Sequence, residues 1–226
     1  PEELFDAKVK NIYARACREF GDIPFAVAND GDVTALAGAM SLNATGILGI
    51  AMGTSEAGGY VSPEGGITGW LNELAFAPVD ARSDVAPDEW SGDFGCGVKY
   101  FSQDGVIRLA PEAGITLSEN LTPAQKLSEV QKLADEGHAP ALAIFDSIGC
   151  YLGHTLPYYA RFYDIRHVLL LGRVTSGRGG ERLVSRCRAV LSEEYPELGF
   201  DLVLPDEKSR RVGQSVAAAS LPEIKR

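Results

Sequence analysis

Ile23-Pro24-Phe25-Ala26-Val27-Ala28-Asn29-Asp30-Gly31-Asp32-Val33-Thr34-Ala35-Leu36-Ala37-Gly38-Ala39-Met40 is the stretch on which the architecture turns. The apolar run over 24–28 has the composition of a strand. It empties into Asn-Asp-Gly-Asp, and the small residues over 33–40 then read as a tightly packed helix. In open α/β sheets ligands sit beyond the carboxyl ends of strands, so such a junction would aim Asp30 into a cleft. Asn, Asp and Gly are also what any strand-to-helix turn uses to cap the helix that follows.

Two further strand ends lie outward from this junction. The run 46–52 leads into Gly53-Thr54-Ser55-Glu56-Ala57-Gly58-Gly59, then Tyr60-Val61 and a turn at Gly65-Gly66, the pattern of a β-hairpin. Its glycines would let backbone amides approach an anion, and the Thr54 hydroxyl could donate to a phosphate oxygen. His167 to Leu171 is a short buried-strand pattern that ends in Gly172-Arg173-Val174-Thr175-Ser176-Gly177, before a helix striped by Leu183, Cys187, Val190 and Leu191. The pattern as a whole predicts a layered α/β domain with strands near 24–28, 46–52, 57–61 and 167–171. Residues 200–204 read as an edge strand closed by Pro205. A helix is expected over 3–20. Thr122-Pro123-Ala124-Gln125 has the form of a capping box that opens a helix running to Gly137. The Pro- and Asp-rich stretch 79–90 reads as loop.

Composition narrows the function classes. The chain has 226 residues, 45% of them hydrophobic and 23% charged, ordinary values for a globular domain. Its formal net charge of −10 opposes a nucleic-acid partner, which would require Lys and Arg to neutralise phosphates. The basic cluster Lys208-Ser209-Arg210-Arg211 reads as a solvated turn. Cys17, Cys96, Cys150 and Cys187 are widely spaced and form no Cys-x-x-Cys pair, which predicts reduced thiols and a cytoplasmic setting. No run reaches the eighteen or so apolar residues of a membrane span. None of the three histidines has a second His or a Cys at ligand spacing, so structural or surface roles are assigned to them.

Three ligand-style loops in this order, with long helices between the second and third, resemble the ROK family of sugar kinases and sugar-responsive repressors. The resemblance runs from Ile23 nearly to the end, where 213–220 is similar to the family's small-residue last helix. It implies an α/β fold of the actin-like ATPase (RNase H-like) type, a mixed sheet flanked by helices. It further implies that Asn29 holds a sugar and that Asp30 is the catalytic base. Gly53 and Thr54 would then touch the phosphates of ATP, with Mg²⁺ as its companion, and Gly172 would line the adenosine side with Arg173 beside it. Glu73 matches a sugar ligand, and Gln103 stands where a sugar-binding Glu is expected.

The chain also departs from the family pattern. The family's His and Cys ligands for zinc are reduced to Cys96, with Phe76 in the place of the His, and one thiolate cannot hold a structural zinc. Glu56 falls in the phosphate loop, where a carboxylate within a few Å of a phosphate is repelled by roughly 1 kcal/mol or more. Arg173 replaces a glycine and could pair with a phosphate. Kinases of this fold begin with a strand carrying Asp-x-Gly-x-Thr, and nothing here matches it. Residues 1–226 are therefore expected to be the C-terminal actin-like ATPase domain of a ROK-type protein whose N-terminal half is absent.

The implied function is ATP-dependent phosphoryl transfer to a hexose or related sugar hydroxyl. The alternative is a non-catalytic sugar sensor or repressor. The implied partner is a small-molecule sugar, with no membrane and no nucleic acid through this segment, and with a homodimer allowed. Elemental analysis of protein purified without added metal is expected to find no stoichiometric zinc, and a full equivalent of zinc would overturn the reading of Phe76 and Cys96.

Overall fold

The computed structural model describes residues 1–204 and 215–221. Its sheet is built from β1 (Ile47–Met52), β2 (Glu56–Val61), β3 (His167–Leu171) and β4 (Asp201–Val203), in the order β2-β1-β3-β4. β1 and β2 form the expected hairpin, antiparallel from Ile47↔Val61 to Met52↔Glu56. β3 runs parallel to β1, and β4 parallel to β3 at the sheet edge, so the sheet is mixed. Pro205, the basic cluster and Gly213-Gln214 lie outside the described residues, while 215–220 are helical as expected.

The two faces of the sheet follow from the period-two alternation of strand side chains. Leu48, Ile50, Met52, Val168 and Leu170 point to one side and form the main core. That core is completed by α4 (Gln103–Glu112), α5 (Pro123–Asp135), α6 (Ala139–Tyr159) and α7 (Gly177–Glu194). The capping box at the start of α5 is present, with Gln125 Oε1 accepting from Thr122 N at 2.9 Å. Ile47, Val61 and Leu169 point to the other side, where Ala35 and Ala39 of α3 (Asp30–Leu42) cover them. None of the helices among the described residues is long and apolar enough to cross a membrane.

α3 does not run alongside the strands. Gly31 rests on Gly58 and Gly59 of β2, Ala35 on Gly49 of β1, and Gly38 on Leu169 of β3. Gly59, Gly49 and Leu169 are partners in one cross-strand row, so the helix crosses the sheet transversely, from the β2 edge inward. A Cβ on Gly31 would collide with the Gly58 carbonyl, and one on Gly59 with the Gly31 carbonyl. Backbone therefore packs directly on backbone at the start of the helix.

The N-terminal expectations need correction. The predicted helix over 3–20 is broken into α1 (Glu2–Lys8) and α2 (Ile12–Glu19) by Asn11, which takes a left-handed conformation at φ 60°. The predicted strand at 24–28 is absent: residues 23–29 carry no ladder. A strand needs a neighbour to accept its N–H and C=O groups, and this segment pairs with neither sheet edge. Its side chains stay in solvent, with Ile23, Phe25 and Val27 exposed by 50%, 46% and 67%.

The packing of α3 makes a prediction at Gly31. Overpacking against a backbone carbonyl costs about 1–3 kcal/mol. Alanine gains at most roughly 0.5–1 kcal/mol over glycine in a helix. Gly31→Ala is therefore expected to lower stability by about 1–2 kcal/mol in urea denaturation, and an unchanged or raised midpoint would refute the contact.

Candidate functional site

The sequence-predicted residues fall into two groups joined by β2. The first surrounds the open edge of β2. Asn29 is the N-cap of α3, its Oδ1 accepting from Gly31 N at 2.8 Å, so the capping role is real. The cap uses Oδ1 and not the amide nitrogen. Asp30, the first residue of the helix, is exposed and accepts from Gly31 N at 2.9 Å, a carboxylate favoured by the positive end of the helix dipole. Gly58 in turn sits against the Asn72 carbonyl and the Leu74 side chain, which brings the segment 72–74 alongside the helix start. Glu73 is exposed there, at the entry to a 3₁₀ turn over Leu74–Phe76. Exposed polar groups of Asn29, Asp30 and Glu73 thus share one edge of the sheet. The transverse run of α3 corrects one expectation: Asp30 lies at mid-strand level beside β2, not beyond the carboxyl end of a strand of its own.

Asp32, which the sequence reading left unassigned, is the buried member of this group. It is 3% exposed, and its Oδ1 accepts from Tyr60 N at 3.2 Å and from Asn72 Nδ2 at 2.8 Å. Asn72 Oδ1 accepts from the Tyr163 hydroxyl at 3.0 Å. Burial raises the Asp32 pKa, and the hydrogen bonds from Tyr60 and Asn72 pull against it. The local sequence shows only another acid in a first helical turn. Its partners are 28 and 40 residues away.

The second group gathers at the carboxyl ends of β1 and β3. Gly53 N donates to Ser55 O at 2.9 Å, closing a tight turn that leaves Thr54 and Ser55 exposed. Gln103 N donates to Gly53 O at 2.8 Å, so Gln103 packs with this turn. Its Oε1 is buried with no hydrogen-bond partner among the described residues. Gly172 adopts φ 92°, and a Cβ there would collide with the Met52 carbonyl, so only glycine fits. Arg173 is exposed next to it, and its carbonyl accepts from Gln131 Nε2 at 2.5 Å. The start of α7 nearby is already served by a carboxylate, since Asp135 Oδ1 accepts from Arg178 N at 2.8 Å.

Glu56 turns away from the phosphate-loop side. It opens β2 on the main-core face, 4% exposed, and neither carboxylate oxygen has a partner among the described residues. Gly97 lies against it, and a Cβ there would collide with Oε2. Burial pushes the Glu56 pKa up to about 8, so near neutrality the group is an uncharged acid pointing inward, and the expected repulsion of a phosphate does not arise.

The region from Phe76 to Asp104 is held by stacking, ion pairs and a buried carboxyl group. Phe76 stacks on Trp90 at 5.4 Å. Lys99, 5% exposed, bridges Glu89 at 2.7 Å and Asp104 at 2.6 Å. Asp80 accepts from the hydroxyls of Tyr100 at 2.7 Å and Tyr151 at 3.1 Å and from Arg82 Nε at 2.9 Å. Burial acts to raise the Asp80 pKa, but these hydrogen bonds outweigh it and hold the carboxyl at about 2. Cys17, Cys96, Cys150 and Cys187 are free thiols. The histidines have local partners: His138 caps α6, His154 meets Tyr195 and Glu194, and His167 meets Asp201.

No protein-family model matches the chain, and no curated protein matches it. Solved structures match its fold. One is a ROK family glucokinase from Streptomyces griseus in complex with glucose and AMPPNP, at 17% identity over 91% of this chain and 70% of its own, TM-score 0.68. A ROK hexokinase from Thermus thermophilus matches at 18% identity, over 91% of this chain and 68% of its own, TM-score 0.68. A ROK family transcriptional regulator, a homolog of the E. coli MLC protein, matches at 16% identity, over 91% of this chain and 54% of its own, TM-score 0.70. At these identities the likeness is one of fold. The chain has the α/β fold of ROK proteins and actin-like ATPases, as the sequence resemblance implied.

Glu56 gives this fold a pH dependence. Below about pH 4.5 the folded and unfolded chains both keep its proton; between 4.5 and about 8 only the folded chain does. Unfolding then releases a proton, so stability falls as pH rises through that window and levels off above it. At 1.36 kcal/mol per pH unit the upper limit is about 5 kcal/mol. Glu56→Gln and Glu56→Leu are expected to flatten this decline relative to the parent in urea denaturation at pH 5 and 8.5. Glu56→Leu, which abandons no hydrogen bond, should raise the midpoint at the higher pH. Identical pH profiles for parent and variants would sink the assignment.

Proposed function

We propose that this chain is the C-terminal portion of an ATP-dependent sugar kinase of ROK type, which transfers a phosphoryl group to a sugar hydroxyl. The observation that carries the reading is the exposed carboxylate of Asp30 at the start of α3, with Asn29 and Glu73 on the same sheet edge and an open glycine turn at the adjoining strand ends. Phosphoryl transfer asks little covalent chemistry of a protein. It asks for positioning, charge neutralisation and an acceptor for the hydroxyl proton. Asp30 takes that proton as the sugar oxygen bonds to the γ-phosphorus and the bond to the ADP oxygen breaks. Asn29 and Glu73 hydrogen-bond neighbouring hydroxyls, which favours a polyol over an apolar isostere.

The nucleotide side fits an anion. Gly53 brings no side chain, Thr54 offers an exposed hydroxyl, Gly172 lets the two strand ends close on each other, and the one acid of the turn, Glu56, points inward. Among the described residues no group of three acids, histidines or cysteines could hold a metal. Mg²⁺ would thus be carried mainly by the phosphates and water, as it prefers. The unpaired segment 23–28 and the exposed Leu4, Phe5, Tyr13, Phe20 and Val27 support a missing N-terminal half that covers them. Free thiols agree with a reducing, cytoplasmic setting.

A second reading, a sugar-binding sensor without catalysis, is favoured by Asp135, whose carboxylate already occupies the start of α7, and by Arg173 beside Gly172. The two readings separate at Asp30 in the chain joined to its N-terminal half. For a kinase, Asp30→Asn keeps sugar binding within about tenfold and lowers ADP release by roughly a hundredfold or more. For a sensor, the parent releases no ADP above background with any hexose or amino sugar. Robust turnover left intact in Asp30→Asn would remove Asp30 as the base.

A further inference from the structure

The segment that presents Glu73 has no regular structure before residue 74, yet it is hydrogen-bonded by side chains from two distant parts of the chain, Asp32 and Tyr163. Asn72 is 6% exposed and left-handed at φ 52°. Its amide makes three hydrogen bonds: Nδ2 donates to Asp32 Oδ1 at 2.8 Å and to the Trp70 carbonyl at 3.1 Å, and Oδ1 accepts from the Tyr163 hydroxyl at 3.0 Å. Its carbonyl accepts from Leu74 N at 2.8 Å, so Glu73 is bracketed on both sides. The acceptor for Asn72 belongs to the first turn of α3, two residues after Asp30. The same Asp32 oxygen accepts from Tyr60 N at 3.2 Å, which ties the helix turn to β2 as well. A carboxylate 3% exposed is costly to bury, and a neutral capping residue would have sufficed for the helix alone.

We propose that Asp32 is a positioning residue: through Asn72 it clamps the segment carrying Glu73 to the helix turn carrying Asp30, fixing the separation of sugar ligand and base. This rests on the sugar-site reading above and deepens it. Glu73 and Asp30 come from elements about forty residues apart in sequence, and both are exposed, so neither is held by burial of its own side chain. Asp32 and Asn72 supply that order from beneath, where low dielectric strengthens the hydrogen bonds between them. An amide at position 32 would preserve the clamp, because Asn Oδ1 accepts the same two hydrogen bonds. Removal of the acceptor would leave two buried donors unpaired and release the segment.

The test compares Asp32→Ala, Asp32→Asn and Asn72→Gly in the full-length protein. Asn72→Gly keeps the left-handed backbone and loses the side chain that makes the clamp, together with its hydrogen bonds to the Trp70 carbonyl and the Tyr163 hydroxyl. Calorimetric titration uses glucose, N-acetylmannosamine and sucrose, with AMPPNP as the nucleotide probe. Asp32→Ala and Asn72→Gly are expected to weaken sugar binding about tenfold or more and leave AMPPNP within twofold. Asp32→Asn should stay within threefold of the parent for both. The double variant Asp32→Ala/Asn72→Gly should be no worse than the poorer single one, as for two members of one contact.

Amide exchange of residues 70–74 in the ligand-free protein is the second arm, expected to quicken at least tenfold in Asp32→Ala and Asn72→Gly and to be unchanged in Asp32→Asn. Equal loss of sugar and nucleotide affinity would indicate a merely structural role and overturn the proposal. So would Asp32→Asn behaving like Asp32→Ala. If the parent binds none of the three sugars, the sugar-site reading fails, and exchange alone decides the clamp: faster exchange in the two expected variants supports it, and unchanged exchange in all three overturns it.

Discussion

The contact on which the rest depends is backbone against backbone, where Gly31 of α3 meets Gly58 and Gly59 of β2. Side chains here would push the helix away from the sheet by the thickness of a methyl group or more. Because none is present, the first turn of α3 is pinned to the strand, and the helix can cross the sheet along the row Gly59, Gly49 and Leu169. That crossing decides where chemistry is available. It delivers Asn29 and Asp30 to the open edge of β2 and leaves the carboxyl ends of β1 and β3 free for the glycine turn and Gly172. One tight contact thus separates the two halves of the candidate site and sets their spacing through a single rigid strand.

Three carboxyl groups near that strand show how environment divides one functional group among different tasks. Asp30 stays in solvent at a helix start, where its carboxyl group accepts from Gly31 N. Asp32, two residues on, is buried but receives two hydrogen bonds, which offset part of its desolvation. Glu56 is buried with none among the described residues, and burial raises its pKa to about 8, so it keeps its proton near neutrality. Pairwise repulsion inferred from sequence position alone fails at Glu56, since strand alternation turns its side chain to the face opposite α3 and into the core.

Legibility in the sequence followed the range of the interaction involved. The strands at 47–52, 56–61 and 167–171 were readable because apolar runs bounded by glycine report burial directly, and the capping box at Thr122 because its partners are three residues apart. Asn29 and Asp30 were readable as a junction. The strand at 24–28 was misread because β-type composition cannot supply a neighbouring strand, and the helix over 3–20 because Asn11 looks unremarkable until its φ is known. Asp32 was invisible for a different reason: its meaning lies in Tyr60, Asn72 and Tyr163, contacts that no local pattern encodes.

The region between Phe76 and Phe101 is held by several separate contacts. Here the work is spread over a stacked pair at Phe76 and Trp90, a nearly buried Lys99 between two carboxylates, and Asp80 under two tyrosines and Arg82. One of these contacts depends on pH: Asp80 is held at about 2, so its contribution is complete above the ordinary carboxylate range and lost only as pH falls toward that value. Tyr100 and Tyr151 reach Asp80 from either side of α4 in sequence. The loop is thereby tied to α6 and the main core, close to Gly97 and the buried face of β2.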